Sequence, residues 1–439
     1  MDFRIGFTDK EITPWGGMSL MKKLLDQSQM DGLLSSLELP QPGSNRGYKP
    51  KQIIKSFWVS VWCGANRFLH TEVTRQDVVI RRIFGWRRVC GQDTYKRFFY
   101  KFTQGLNQRV FTALYRWFFR GLRFDNYTLD LDSSVLTRYG DQEGAERGYN
   151  PAKPGRKSHH PLIAFIADCR MVANLWLRSG SSHTANNLVG FIGDTFDKLQ
   201  DKRIGLLRGD SGFYGEKTFR YLEERDRPVS YIIAARLYKP MQEKIASQKV
   251  WCTLDEGVAI GETEYRSTEG NKARRMIIVR QHIKERLKAT GKQLRLFQDS
   301  DIYNNYRYHC FITNLTLPAP QVWNLYRHRA DAENRIKELK YDFGFDSFNI
   351  RSFYGTEAVL NMVMMAYNLM SLFCQVIMDS KVHPKLSTLR YRLFAIGAYM
   401  VKEGNSCILK LSLAMKRRAW FLGLWGKASQ FNMPVSLPP

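Results

Sequence analysis

Tyr326, Arg329, Glu333 and Lys340 have the side-chain types and spacing to hold a phosphate group beside a metal ion. They lie in residues 326–340, a stretch without Gly or Pro and rich in Ala, Leu, Arg, Lys and Glu, which predicts a single helix. At about 100° per residue the four fall at roughly 0, 300, 340 and 320°, on one face, with Asp331 and Glu338 turned away. On such a face the acid can ligate a metal while Arg and Lys grip phosphate oxygens. Charge content alone fits an ordinary solvated helix face better. The spacing decides against that reading.

Metal chemistry of this kind needs more acids, and two strand ends upstream supply them. Residues 127–135 alternate, with Thr128, Asp130, Asp132 and Ser134 on one face and Tyr127, Leu129, Leu131 and Val135 on the other. Two carboxylates so placed need a counter-charge or a metal if buried; a polar face turned to water is the competing reading. Residues 204–210 form a short apolar strand ending on Asp210, ahead of the turn Ser211-Gly212-Phe213-Tyr214-Gly215. Open α/β sheets place ligand groups at such ends, and a helix-capping acid is the alternative.

Tyr, two residues, Arg, three residues, Glu, six residues, Lys resembles the signature helix of the insertion-sequence DDE transposases of the YREK group, and all four positions match. In that family the first aspartate ends an apolar strand and precedes Ser or Thr. Asp132-Ser133-Ser134 fits this pattern better than Asp130-Leu131, which leaves Asp130 as runner-up. The loop at 142–157, with Gln-Glu-Gly-Ala and Gly-Tyr-Asn-Pro, resembles one subgroup of the same family. The resemblance covers roughly residues 127–378 and is loose in the segment between Asp210 and Glu333.

The resemblance implies that Asp132, Asp210 and Glu333 are catalytic and bind two Mg²⁺ ions, with Mn²⁺ able to substitute, while Tyr326, Arg329 and Lys340 position DNA phosphates. Cleavage at terminal inverted repeats and joining of the 3′-OH ends to target DNA would follow, in some members through a hairpin, within a homodimeric synaptic complex. Lys153, Arg156 and Lys157 in the Gly- and Pro-containing loop are candidate backbone contacts. Trp251 or Trp323 is the candidate aromatic for stacking on a flipped base. A metal-dependent nuclease that cuts without joining would share the three acids. A domesticated DNA-binding protein with a retired centre would not be expected to keep all of them.

Composition agrees with a nucleic-acid partner. The formal net charge is +26 over 439 residues, and each cation that neutralises a phosphate releases counterions. With 44% hydrophobic residues the chain can build substantial cores. Seven scattered cysteines without a CxxC pair, and eight histidines with one adjacent pair, argue against disulfides and zinc and fit a reducing cytoplasm. No phosphate loop suggests ATP use. No secretory signal is expected. The apolar run at 360–378 is interrupted by Asn361, Asn368, Ser371 and Gln375, so a buried helix is expected and no membrane partner. The expected localisation is the bacterial cytoplasm, at the nucleoid.

The elements that must position the acids follow from the periodicity: helices and basic residues over 1–124, strands and helices over 125–236, further strands over 237–318, helices over 319–380 and a C-terminal helical region over 381–439. The resemblance implies that 1–124 is an all-α DNA-binding region, that 125–236 and 319–380 are the two parts of a ribonuclease-H-like α/β core, the second with the catalytic helix, and that 237–318 is a β-rich insertion.

Overall fold

The computed structural model describes residues 3–123, 126–183, 187–267, 270, 272–283, 305–379 and 382–437. The sequence also reads as a helix from Thr184 to Leu199 and as a charged, Gly-containing segment from Lys284 to Asp301; residues 184–186 and 284–301 lie outside the described residues.

Apolar residues recurring at three and four positions give the helices α1 (Met18–Gln27), α2 (Met30–Ser36), α3 (Pro50–Trp62), α4 (Thr71–Gln76), α5 (Val78–Ile83), α6 (Gln92–Tyr100) and α7 (Gln104–Arg120). The stripe of α3, Ile53, Ile54, Phe57, Trp58, Val61 and Trp62, is buried throughout. At Tyr127 the apolar period drops to two and the sheet begins.

Five strands make its centre: β1 (Tyr127–Ser133), β2 (Leu162–Ile166), β3 (Met171–Trp176), β4 (Ile204–Gly209) and β5 (Ser230–Ala234). Helix α8 (Leu188–Leu199) connects β3 to β4, and α9 (Glu216–Glu223) connects β4 to β5. Their spatial order is β3-β2-β1-β4-β5, with β2 antiparallel to β1 and β3, and with β1, β4 and β5 mutually parallel. This is the ribonuclease-H-like topology expected from the order of strands and helices.

After α10 (Lys239–Ser247), the strands β6 (Cys252–Asp255), β7 (Val258–Arg266), β8 (Ala273–His282) and β9 (Tyr306–Thr313) continue the same sheet edgewise. Strand β9 pairs antiparallel with β5, so the full order is β6-β7-β8-β9-β5-β4-β1-β2-β3. The insertion is thus hydrogen-bonded to the core and shares its sheet.

The chain then forms α11 (Ala319–Arg327) and α12 (Ala330–Phe343). The single helix expected over 326–340 is broken at His328-Arg329. Arg329 N donates to Tyr326 O at 2.9 Å instead of to the carbonyl four residues back. That carbonyl, Leu325 O, is taken by Arg208 Nη1 at 2.5 Å. A side chain inserted into the helical ladder interrupts it, although His328 and Arg329 keep right-handed helical backbone angles. Helix α12 ends at Gly344, whose φ of +69° favours glycine and where a Cβ would meet the Asn66 backbone at 2.7 Å.

Helix α13 (Phe353–Leu372) lies behind the sheet. It belongs to a helical stretch long and apolar enough to cross a membrane, yet 89% of that window is buried within the protein. The polar residues that interrupt it are all used. Asn368 Oδ1 accepts from Val172 N at 2.7 Å and its Nδ2 donates to Val172 O at 2.8 Å, completing the outer edge of β3. Ser371 Oγ and Gln375 Nε2 donate to Cys169 O at 2.9 and 2.7 Å. Trp58 and Trp62, one turn apart on α3, donate to Met362 O and Ala366 O at 2.9 and 3.1 Å, so the N-terminal helices share a core with α13.

The C-terminal region is not purely helical as expected. Residues 398–411 form the hairpin β10 (Ala398–Glu403) and β11 (Ser406–Leu411), and helix α14 (Met415–Gln430) follows. Gly404-Asn405, with Gly404 at φ +59°, supplies the turn between the two strands.

Replacing Asn368 with Leu should leave the Val172 N–H and C=O unpaired in a dry core. Urea unfolding is expected to show a loss of about 2–3 kcal/mol, and an unchanged midpoint would mean that water reaches this edge.

Candidate active site

Parallel pairing of β1 with β4 sets Asp130 opposite Arg208 and Leu131 opposite Gly209. The carboxyl ends of the two strands therefore adjoin, bringing Asp132 near the end of β1 beside Asp210, one residue past β4. Each carboxylate is oriented by a main-chain donor. Ser133 N donates to Asp132 Oδ1 at 2.8 Å, and Gly212 N to Asp210 Oδ1 at 2.7 Å. Both Oδ2 atoms are left facing one guanidinium: Arg329 Nη2 stands 3.3 Å from Asp132 Oδ2 and 3.9 Å from Asp210 Oδ2, while donating to Leu131 O at 2.9 Å. Burial pushes the Asp132 carboxyl up to about 6; Arg329 opposes the shift, and the charges of Asp210 and Glu333 add to it.

Glu333 lies on the first turn of α12, exposed, with its charge felt at Asp132. Lys340, half-buried two turns on, donates from Nζ to Val135 O at 3.2 Å, just beyond β1, and burial lowers its pKa. The Tyr326 ring packs against Phe311 at 4.3 Å, and burial raises its hydroxyl to about 12. Asp331 and Glu338 point elsewhere, as expected: Asp331 pairs with Arg335 at 2.8 Å and Glu338 accepts from Leu386 N at 3.0 Å. The structure thus sets Asp132 and Asp210 against Arg329, with Glu333 and Tyr326 within electrostatic reach of Asp132 and Lys340 beside the end of β1.

Asp130 is held differently. It is fully buried, and Arg208 donates to it from Nε and Nη2 at 2.6 and 2.8 Å. Its charge is thereby committed to a bidentate pair that also anchors Leu325 O. The sequence signal for this partner is an arginine within the apolar strand 204–210, which demands an opposite charge in register.

The candidate DNA contacts are spread more widely. Lys153 and Arg156 are exposed and gather over the Tyr139 ring at 5.0 and 5.9 Å, and Lys157 pairs with Asp141 at 3.4 Å. This patch sits on a small sheet whose first strand, Leu136–Thr137, directly follows Val135. Trp251 carries the Arg280 guanidinium on its ring at 4.1 Å, and Trp323 packs against Phe311 at 5.5 Å. Both tryptophans are half-buried and engaged in packing.

Other polar groups beside the acids were not singled out by the sequence reading. His160 Nε2 lies 3.2 Å from Ser133 Oγ, next to Asp132. Arg236 donates to Ser211 O at 3.2 Å and contacts His183 Nε2 at 2.8 Å, next to Asp210. They come from separate strands and loops, so no spacing rule reveals them.

A family model described as transposase DDE domain group 1 matches residues 2–430. The chain is a DDE transposase. It is therefore a DNA-binding enzyme that cleaves and joins strands, of a family that generally uses divalent metal ions. No curated protein matches the transposase. Among solved structures, it is similar to the piggyBac transposase in a synaptic complex with hairpin DNA, with a TM-score of 0.45 and 9% identity over 88% of this chain and 82% of that one. So loose a likeness assigns no residue of the transposase a role.

The donor set nonetheless fits a hard divalent ion. Asp132, Asp210 and Glu333 offer only carboxylate oxygens, and a buried Asp132 calls for a cation. Among the described residues no three such groups already stand close enough to form a cage.

The Asp130–Arg208 pair can be tested apart from the other acids. Asp130→Leu or Arg208→Met alone strands a buried charge and should cost the transposase about 3–5 kcal/mol in urea unfolding; the double variant should regain most of it. A stable double variant, although it also loses the Arg208 bond to Leu325 O, is expected to keep Mn²⁺ binding. Loss of Mn²⁺ binding there would move Asp130 into the metal site.

Proposed function

We propose that this transposase excises an insertion sequence by cutting at its terminal inverted repeats and joins the freed 3′-OH ends to target DNA, with Asp132, Asp210 and Glu333 holding two Mg²⁺ ions. The observation that carries this reading is the convergence of the Asp132 and Asp210 Oδ2 atoms on one cation position, now filled by an Arg329 nitrogen at 3.3 and 3.9 Å. Divalent ions bound there would supply Lewis-acid stabilisation of the attacking and leaving oxygens of a phosphodiester.

The chain's own residues do the rest. The Ser133 and Gly212 amides keep the two carboxylates aimed, so little reorganisation is needed when a cation binds. Arg329 and Lys340, on either side of Glu333, bind the phosphates flanking the scissile bond, and the Tyr326 hydroxyl stays protonated as a donor. Lys153, Arg156 and Lys157 extend the cationic path past the end of β1. One centre suffices for hydrolysis and for strand transfer, because the 3′-OH released in the first reaction is the nucleophile of the second. Two ends to be joined call for two copies in the synaptic complex, acting at the bacterial nucleoid.

The test is cleavage and joining of a DNA fragment carrying the native element ends in Mg²⁺. Glu333→Gln is expected to reduce both reactions at least about a hundredfold, the scale of several kcal/mol of lost charge stabilisation, without weakening duplex binding. Breakage that survives this substitution would place the centre elsewhere; breakage without joining would reduce the protein to a nuclease.

A further inference from the structure

The way Arg329 sits between the two aspartates differs from the way a committed structural arginine sits in the same fold. Arg208 meets Asp130 with two bonds at 2.6 and 2.8 Å. Arg329 is also buried, at 7% exposure, yet its carboxylate contacts are 3.3 and 3.9 Å, longer than charge-assisted hydrogen bonds. Its single hydrogen bond to a group at the site goes to Leu131 O, and its buried Nε has no partner among the described residues. The guanidinium supplies charge to the site but is held by little else.

We propose that Arg329 is a resident counter-cation, which competes with divalent metal for Asp132 and Asp210 and is drawn away by a DNA phosphate, so that metal loading is coupled to DNA binding. The proposal rests on Asp132 and Asp210 being metal ligands. A divalent ion placed between the carboxylates would stand against a guanidinium already in contact with one of them, and the like charges repel. A phosphate oxygen at the site offers the guanidinium a better-matched, bidentate partner. Moving to it gives up one hydrogen bond and uses donors that are idle. Each cation then faces an anion: the metal on the aspartates, Arg329 on the phosphate. By reciprocity, whatever DNA contributes to metal affinity, metal contributes to DNA affinity. The protein without DNA would hold metal weakly, which keeps the cutting centre unloaded until a substrate is seated.

The probe is Mn²⁺ added to the full chain without DNA, with free Mn²⁺ counted by electron paramagnetic resonance. Arg329→Gln is expected to bind Mn²⁺ about tenfold more tightly than the parent, the size of a typical coupling. Without metal it should also unfold at a lower temperature than the parent, a loss that Mn²⁺ reverses. Equal or weaker Mn²⁺ binding by a folded Arg329→Gln overturns the proposal. Should that variant not fold, Arg329→Lys is read instead; its shorter side chain is expected to bind Mn²⁺ more tightly than the parent, and unchanged affinity overturns the proposal. Asp210→Asn separates the two levels. Impaired Mn²⁺ binding there upholds the site, so that a negative result at Arg329 counts against the counter-cation alone, whereas parental binding overturns the site and the proposal with it.

Discussion

Three buried guanidinium groups join the helix pair α11–α12 to the sheet, and in the protein without DNA the geometry of the site depends on them. Arg208 reaches from β4 to Leu325 O, Arg329 reaches back to Leu131 O, and Arg335 donates to Ile166 O and Ala167 O at 3.1 and 2.9 Å. Each ties a helix to the end of a different strand. A planar fork with five donors can satisfy a carboxylate and a carbonyl at once, which an ammonium on a flexible stem does with less directional control. Burying such charges brings little net stability. What they contribute here is position: Arg208, by taking Leu325 O, interrupts the ladder at His328-Arg329, one turn ahead of Glu333, and Arg329 and Arg335 hold the following residues to the sheet.

The same charges resolve a conflict built into the chemistry. A centre that collects three carboxylates repels the phosphate it must act on, while the +26 net charge of the chain attracts DNA everywhere else. In the function proposed for the site, Lys340 and Arg329 bring that attraction to the acids, while surface cations such as Lys153 and Arg156 add salt-dependent affinity without specifying where the bond is cut.

Much of this was legible in the sequence because it rests on local periodicity. The change of period at Tyr127 and the apolar strand ending at Asp210 appear within a residue or two of their expected places. Family membership was legible from four spaced residues. Alternation could not separate Asp130 from Asp132, since residues two apart share a strand face; the Asp-Ser-Ser pattern favours Asp132, and the register that sets Arg208 against Asp130 has no local signal. The break in the signature helix was invisible for the same kind of reason: the group that captures Leu325 O lies 117 residues away. The C-terminal hairpin was missed because its outward residues interrupt the apolar pattern, leaving Gly404-Asn405 as its one local mark.

The shared core also bears on how DNA contacts reach the centre. Trp58 and Trp62 bond to the backbone of α13, and Phe57 and Phe68 meet Phe348, just past α12, at 5.0 and 5.3 Å. Close-packed aromatic contacts transmit displacement rather than absorbing it. Whatever duplex the basic faces of α3 to α7 hold is therefore held in a fixed relation to Glu333, and not across a flexible linker. On the proposed reading, phosphates held by the N-terminal helices would reach Arg329 in a fixed relation to the strand ends that carry Asp132 and Asp210.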